Sequence, residues 1–275
     1  MSKVVLITGC STGIGRDLAV RLSQAGYCVV ATARKAETLE DLPAALKLSL
    51  DVTQPDSVNQ AVTEMIERFG RVDVLVNHAG YALRGALEEI PVEQVQQMFD
   101  VNVFGVLRMI RAVAPHMRKQ RTGRIINISS IAGKLSMPAN GGYSATKFAL
   151  EALSDALRLE LAPFGIQVVL VEPGAIKTHF DETSQAHAQM ILSNSVSPYQ
   201  PLYQLSDQFA ASMRHQEPGP DIVSEVIQQA IETLKPKARY HAGISLSGEL
   251  ILHLGDSVWD LALRRMFKVN SSNTN

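Results

Sequence analysis

The sequence predicts a doubly wound α/β fold: one parallel sheet of seven strands in the order 3-2-1-4-5-6-7, with helices on both faces. Three observations predict it. Short runs rich in valine and isoleucine alternate with longer stretches of helical period. The short runs lack polar alternation, as parallel strands buried on both faces require. A glycine-rich turn, "TGCSTGIG" at residues 8–15, joins the first run to the first helical stretch.

The elements follow in order. Residues 4–8 form the first strand and 15–25 the first helix. Strands two and three cover 28–33 and 46–50. A helix over 56–69 follows, with Pro55 in its first turn, where a missing N–H costs nothing. Residues 72–76 give strand four, and 92–119 give two helices in succession. Strand five covers 124–128, a long helix 142–162, and strand six 167–171. A helix at about 221–234 and a short strand at 238–241 complete the sheet. No repeat or linker interrupts this order, so residues 1–275 read as a single domain.

Composition bounds the function. The chain has 275 residues, 46% hydrophobic and 19% charged, enough for one large α/β core. A net charge of −1 gives no reason to expect a nucleic-acid partner. The basic run "MRKQRTGR" at 117–124 is short and reads as a solvated helix end and loop. Two cysteines, Cys10 and Cys28, argue against a disulfide scaffold and fit a reducing compartment, hence a cytoplasmic protein. Seven histidines without ligand spacing suggest no metal site. The first residues run straight into a strand, so no signal peptide is read, and no run of apolar residues is long enough to span a membrane.

Two stretches carry chemistry. Gly9, Gly13 and Gly15 permit a tight turn and close backbone approach to a pyrophosphate at the helix N-terminus. Cys10 within this loop reads as a small filler. At the end of strand two, where an NAD site would place a carboxylate, stand Ala33 and then Arg34. With no acid to repel it and a guanidinium to pair with it, a 2′-phosphate is favoured, although a merely solvated arginine fits the same residues. The second stretch is "YSATK". Tyr143 and Lys147 are four apart and share one helix face. A cation beside a phenol favours its ionised form and brings it towards acid–base use. Alone, the pair reads more readily as an ordinary helix start.

Taken together, these motifs resemble the classical short-chain dehydrogenase/reductase family, over about residues 3–242. The resemblance rests on "TGCSTGIG", "LDV" with Asp51, "NHAG" at 77–80, "VNVFG" with Asn102, "ISS" ending at Ser130, "YSATK", and "EPGAIKT" at 172–178, in that order. It implies a Rossmann-type fold and a catalytic set of Asn102, Ser130, Tyr143 and Lys147. Tyr143 would exchange the proton at the substrate oxygen, Lys147 would lower its pKa and hold the nicotinamide ribose, Ser130 would orient the substrate, and Asn102 would hold a water on a proton path. The resemblance also implies NADP(H) as cofactor, with contacts from Gly9, Ser11, Thr12, Gly13, Ile14, Gly15, Arg34, Asp51, Val52, Asn77, Ala79, Gly80, Tyr143, Lys147, Pro173, Gly174, Ile176 and Thr178. His78 departs from the family, which usually has a second asparagine there. Phrases such as "AGYALRGALEEI" are similar to the 17β-hydroxysteroid and retinol dehydrogenase branch.

Residues 175–218 lack a strand pattern and carry Phe180, Met190, Leu192, Tyr199, Tyr203 and Phe209. Lying beyond strand six, where open α/β sheets bind ligands, they read as a substrate lid of one or two helices for a bulky apolar molecule, with plain packing on the body as the alternative. The extension 244–275 carries a stripe of Trp259, Leu263, Met266 and Phe267 beside Arg264, Arg265 and Lys268. Packing on the body or on a second subunit is the leading reading; a pocket wall or contact with a membrane surface are the alternatives. Residues 271–275 read as disordered. The expectation is therefore an NADP(H)-dependent oxidoreductase for a steroid-, retinoid- or lipid-like ketone or alcohol, working as a homodimer or homotetramer. A 3-oxoacyl-thioester reductase and a non-catalytic NADPH-binding sensor or scaffold are the alternatives.

Overall fold

A computed structural model describes residues 2–178, 180, 184, 188, 189, 191–214, 217–244 and 256–267. Its centre is one parallel sheet in the order β3-β2-β1-β4-β5-β6-β7. The strands are β1 (Val4–Ile7), β2 (Cys28–Ala33), β3 (Leu46–Ser49), β4 (Val74–Asn77), β5 (Gly123–Ile128), β6 (Ile166–Pro173) and β7 (Arg239–Ala242). All neighbouring pairs are parallel. The topology is the one the sequence predicts. Boundaries differ by a residue or two: β4 starts later than residue 72, and β6 runs on through Pro173.

The apolar runs are continuous because both faces are covered. Along β1, Leu6 faces one core and Val5 and Ile7 the other, as a side-chain period of two dictates. The first core packs α2 (Pro55–Phe69), α4 (Val106–Gln120) and part of α5 (Gly141–Leu161) against Leu6, Val30, Leu75 and Ile125. The second packs α1 (Gly13–Gln24) and the helix Asp221–Glu232, here α7, against Ile7, Val76, Ile128 and Val171.

Local sequence sets the helix ends. Pro55 occupies the first turn of α2, and Gly70 at φ 70° closes it, its N–H donating to Ile66 O at 2.7 Å. The helix α1 begins at Gly13 rather than Gly15, with Thr12 in extended backbone as its cap residue, so two glycines of the loop are already helical. The two helices expected over 92–119 are α3 (Val92–Phe99) and α4, joined without a break by a π-turn over Asp100–Gly105. Further on lie α6 (Gln200–Arg214) and α8 (Asp256–Met266).

In α8, Phe267 just past its end is buried and Trp259 partly so, whereas Met266 faces outward with Val258 and Leu261. Met266 thus leaves the stripe expected of it. Met190, Lys268 and residues 271–275 lie outside the described residues.

Candidate active site

Apart from Asn102, Tyr143 and Lys147, which lie on helical segments, the residues expected at the site lie at or just beyond the C-terminal ends of strands, on the side where open parallel sheets bind ligands. The glycine loop follows β1. Arg34 follows β2, Asp51 and Val52 follow β3, and Asn77 ends β4 with Ala79 and Gly80 behind it. Ser130 follows β5, and Pro173 ends β6 ahead of Gly174, Ile176 and Thr178. The sheet order reverses between β1 and β4, which places the loop at the switch point.

The loop is shaped as a cradle. Gly9 has φ 78° and Gly13 φ 60°, which side-chain-bearing residues rarely adopt. A Cβ on Gly9 would stand 2.9 Å from the Ala79 Cα, and one on Gly15 would meet the Gly9 carbonyl oxygen and the His78 ring. Thr178 lies opposite Gly13, at 3.5 Å from where a Cβ would be. The loop is tied down from β4: Thr8 Oγ1 accepts from the backbone N–H groups of His78 and Ala79, both at 3.0 Å. Burial drives the Cys10 thiol up to about 12, and Cys10 Sγ donates to Ile7 O, so it is an inert filler. Backbone N–H groups at a helix N-terminus, with no side chain in the way, fit a pyrophosphate.

Around this cradle the expected residues do different work. Arg34 is exposed at the tip of β2. Asp51 Oδ1 accepts from both Thr53 N and Thr53 Oγ1, at 2.9 and 2.7 Å, and so shapes the turn into α2. Val52 fills the space left by Gly105 in the π-turn. Asn77 is buried, donating to Asn127 Oδ1 at 2.9 Å, while Asn127 donates to Ser154 Oγ at 2.9 Å. Its side chain thus braces β4, β5 and α5 rather than facing the cleft. Ile176 likewise turns into the core, against Gly243.

The catalytic group converges on α5. Lys147 is buried and donates to Ile128 O at 2.8 Å, with its ammonium 5.5 Å from the centre of the Tyr143 ring. Burial lowers its pKa from the usual lysine range to about 8, against an opposing pull from Glu151. Asn102 sits in the π-turn, a feature that recurs at functional sites. Its amide donates to Tyr81 O at 2.9 Å and to Thr146 Oγ1 at 3.1 Å, and its Oδ1 accepts from Tyr81 N at 3.0 Å. Thr146 Oγ1 in turn donates to Tyr143 O at 2.7 Å. Asn102 and Tyr143 are therefore linked through Thr146. Ser130 Oγ accepts from Ala132 N at 3.1 Å and donates to Pro173 O at 3.4 Å, joining the ends of β5 and β6.

Lysine titration gives a pH prediction. The ammonium persists below about 8 and is lost above it. The alkaline limb of kcat/KM for reduced cofactor, which reports groups of the free enzyme, should fall near that pH. In Lys147→Arg the charge persists, and the limb should move upward even if kcat is lower. An unmoved limb would assign it to another group.

Residues of the 175–218 segment pack near this centre. Phe180 stands 5.7 Å from the Tyr143 ring, centre to centre. Ile191 and Leu192 join Leu83, Ile90, Met98 and Tyr143 in one apolar cluster. Tyr203 is buried on the far side: its hydroxyl accepts from Ala86 N at 3.0 Å and donates to Glu89 at 2.5 Å. Tyr199 pairs with Glu88, and Arg84 with Ser206 and Asp207. Tyr199, Tyr203 and Arg84 thus latch α6 to the loop 81–90. Phe180 faces Tyr143, while Ile191 and Leu192 pack against both the Tyr203 side and the cluster beside Tyr143. This division of labour was not legible from apolar content alone.

Comparison with known proteins agrees with the geometry. A family model described as short chain dehydrogenase matches residues 3–189. The chain belongs to that family. It is an oxidoreductase that interconverts alcohol and carbonyl groups. It is 47% identical over 180 residues to a 3-ketodihydrosphingosine reductase of Bacteroides thetaiotaomicron, 66% of each chain. It is 37% identical over 252 residues to 17-beta-hydroxysteroid dehydrogenase type 1 of Homo sapiens, 86% of this chain and 76% of that one. Among solved structures it resembles ElxO with NADP bound, at 29% identity and TM-score 0.70, covering 88% of this chain and 96% of the other. It also resembles a short chain dehydrogenase/reductase of Burkholderia phymatum in complex with NAD, at 26% identity and TM-score 0.76, covering 100% and 98%. Among the described residues no helix is long and apolar enough to cross a membrane.

Proposed function

We propose that the chain is an NADP(H)-dependent oxidoreductase acting on a bulky apolar ketone or alcohol. The observation that carries this reading is the surround of Tyr143. Its ring packs against Phe180 and against the apolar cluster of Leu83, Ile90 and Met98, which Ile191 and Leu192 also join. A phenol set in an apolar wall over a buried lysine suits a substrate that is apolar around one reacting oxygen. Two relatives bear names of ketone or alcohol enzymes for a sphingoid base and a steroid, which agree with that class.

The chain's own groups divide the work. Tyr143 exchanges the proton at the substrate oxygen, and Ser130 holds that oxygen. Lys147 keeps a positive charge beside the phenol below its own pKa. Asn102, through Thr146, fixes the start of α5. The glycine loop, Thr178 and Arg34 would hold the cofactor, which when bound supplies the hydride chemistry. Cys10 and Cys28 are both unpaired, in keeping with a reducing, cytoplasmic setting. Exposed Phe104 and Phe148 offer apolar surface for a homodimer or homotetramer, to be read by sedimentation.

NADP(H) over NAD(H) rests on Arg34, exposed at the end of β2 after Ala33. Arg34→Ala should weaken NADPH by about 10- to 150-fold, the loss of one charge-assisted partner, and leave NADH nearly unchanged. Wild type preferring NADH, or equal loss of both, would overturn the preference. Substrate class rests on the lid. Phe180→Ala should raise KM for a bulky ketone about 10-fold, the worth of a part-buried aromatic, and move a small ketone by less than about threefold. Equal losses for both, with a lower melting temperature, would make Phe180 ordinary packing.

A further inference from the structure

The position at which this chain departs from its family is built into the glycine loop. His78 Nδ1 lies 3.1 Å from the carbonyl oxygen of Gly9. The same nitrogen would be 3.2 Å from a Cβ on Gly9 and 2.6 Å from one on Gly15. The imidazole edge therefore occupies the space that two glycines leave open. His78 is itself held by its backbone N–H, which donates to Thr8 Oγ1 at 3.0 Å. Thr8, Gly9, Gly15 and His78 thus form one packed unit under the cradle.

The chemistry fixes the ring's state. A carbonyl oxygen can only accept, so the nitrogen facing it must carry the hydrogen. Were Nδ1 bare, two lone pairs would oppose each other in a buried setting, with the cost of an unsatisfied polar group. Burial and the nearby Lys147 charge both disfavour the imidazolium, and the pKa falls to about 4. The ring is neutral at ordinary pH and is a donor through Nδ1.

We propose that His78, as its Nδ1–H tautomer, is a positioning residue that holds the Gly9 carbonyl and thereby sets the shape of the cofactor loop. The proposal rests on the reading of that loop as the cofactor cradle. His78 need not touch cofactor or substrate: it acts through Gly9, whose φ of 78° is the conformation the contact fixes. The consequence is specific. An asparagine amide reaches about as far as Nδ1 and can donate to the same carbonyl, whereas leucine fills space without donating.

The test compares wild type, His78→Asn and His78→Leu, using NADPH as the probe. His78→Leu should bind NADPH about 3- to 10-fold more weakly, the usual worth of a neutral hydrogen bond, with kcat at saturating NADPH little changed. His78→Asn should restore affinity to within about twofold of wild type. Long-range proton–nitrogen NMR of the free wild-type protein should show the His78 hydrogen on Nδ1. Wild-type affinity in His78→Leu, equal loss in His78→Asn and His78→Leu, or the hydrogen on Nε2 would each overturn the proposal. If wild type itself bound no NADPH, the reading of the cradle would fall instead, and the tautomer would still decide the Gly9 contact. If the leucine variant did not fold, the asparagine variant and the tautomer would carry the decision.

Discussion

Tyr143→Phe should lower kcat by about 10²- to 10⁴-fold, the usual contribution of a positioned proton donor. The substitution removes one oxygen and leaves the ring. Packing of that ring against Phe180 does not depend on the hydroxyl. Neither does the hydrogen bond from Thr146 to the Tyr143 carbonyl, nor that from Lys147 to Ile128 O. The variant should fold as wild type and bind NADPH within about threefold of it, well under the 1.4 kcal/mol that marks a factor of ten. Steady-state rates and a cofactor titration check both halves. Retention of more than about a tenth of the activity would remove Tyr143 from the proton step.

Gly15→Ala should weaken cofactor binding. The new methyl would stand 2.6 Å from His78 Nδ1 and press on the Gly9 carbonyl oxygen as well. One of those obstacles is backbone, so the loop itself must shift. Overpacking of this kind costs about 1–3 kcal/mol, which as lost affinity is about 5- to 150-fold. Gly26→Ala is the matched comparison. Unlike helical Gly15, Gly26 has a left-handed backbone, at φ 83°, and no atom lies within 4 Å of the added carbon. It should cost about 1 kcal/mol of stability and leave NADPH affinity unchanged. Calorimetric titration of both variants separates a tight cradle from a generally fragile fold; equal affinities in the two would show that the loop does not hold the cofactor.

Much of this was legible in the sequence because it depends on local pattern. The apolar runs of the inner strands and the order of strands and helices follow from period and burial on both faces. The glycine loop follows from chemistry that no other residue supplies, and the spacing of Tyr143 and Lys147 from helical geometry. What escaped were properties of the third dimension. The π-turn at Asn102 widens the helix without any proline to announce it. Thr146 became a link only because the π-turn aims Asn102 at it. Asn77 and Ile176 carry side chains that turn inward, which no motif spacing can tell. Beyond β6, Tyr203 and Phe180 are both aromatic, yet one latches onto Glu89 and the other faces Tyr143, a difference set by partners distant in the chain.

The central claim is that this site reduces or oxidises a bulky apolar carbonyl or alcohol through Tyr143 with NADP(H). The most direct measurement is the rate of NADPH oxidation, followed by nicotinamide absorbance, with a steroid ketone, a long-chain 3-keto amine and a small ketone, for wild type and Tyr143→Phe side by side. The account predicts turnover of at least one bulky ketone by wild type, a kcat/KM above that for the small ketone, and near-complete loss in the variant. Turnover of the small ketone alone, or equal rates in the two proteins, would contradict it.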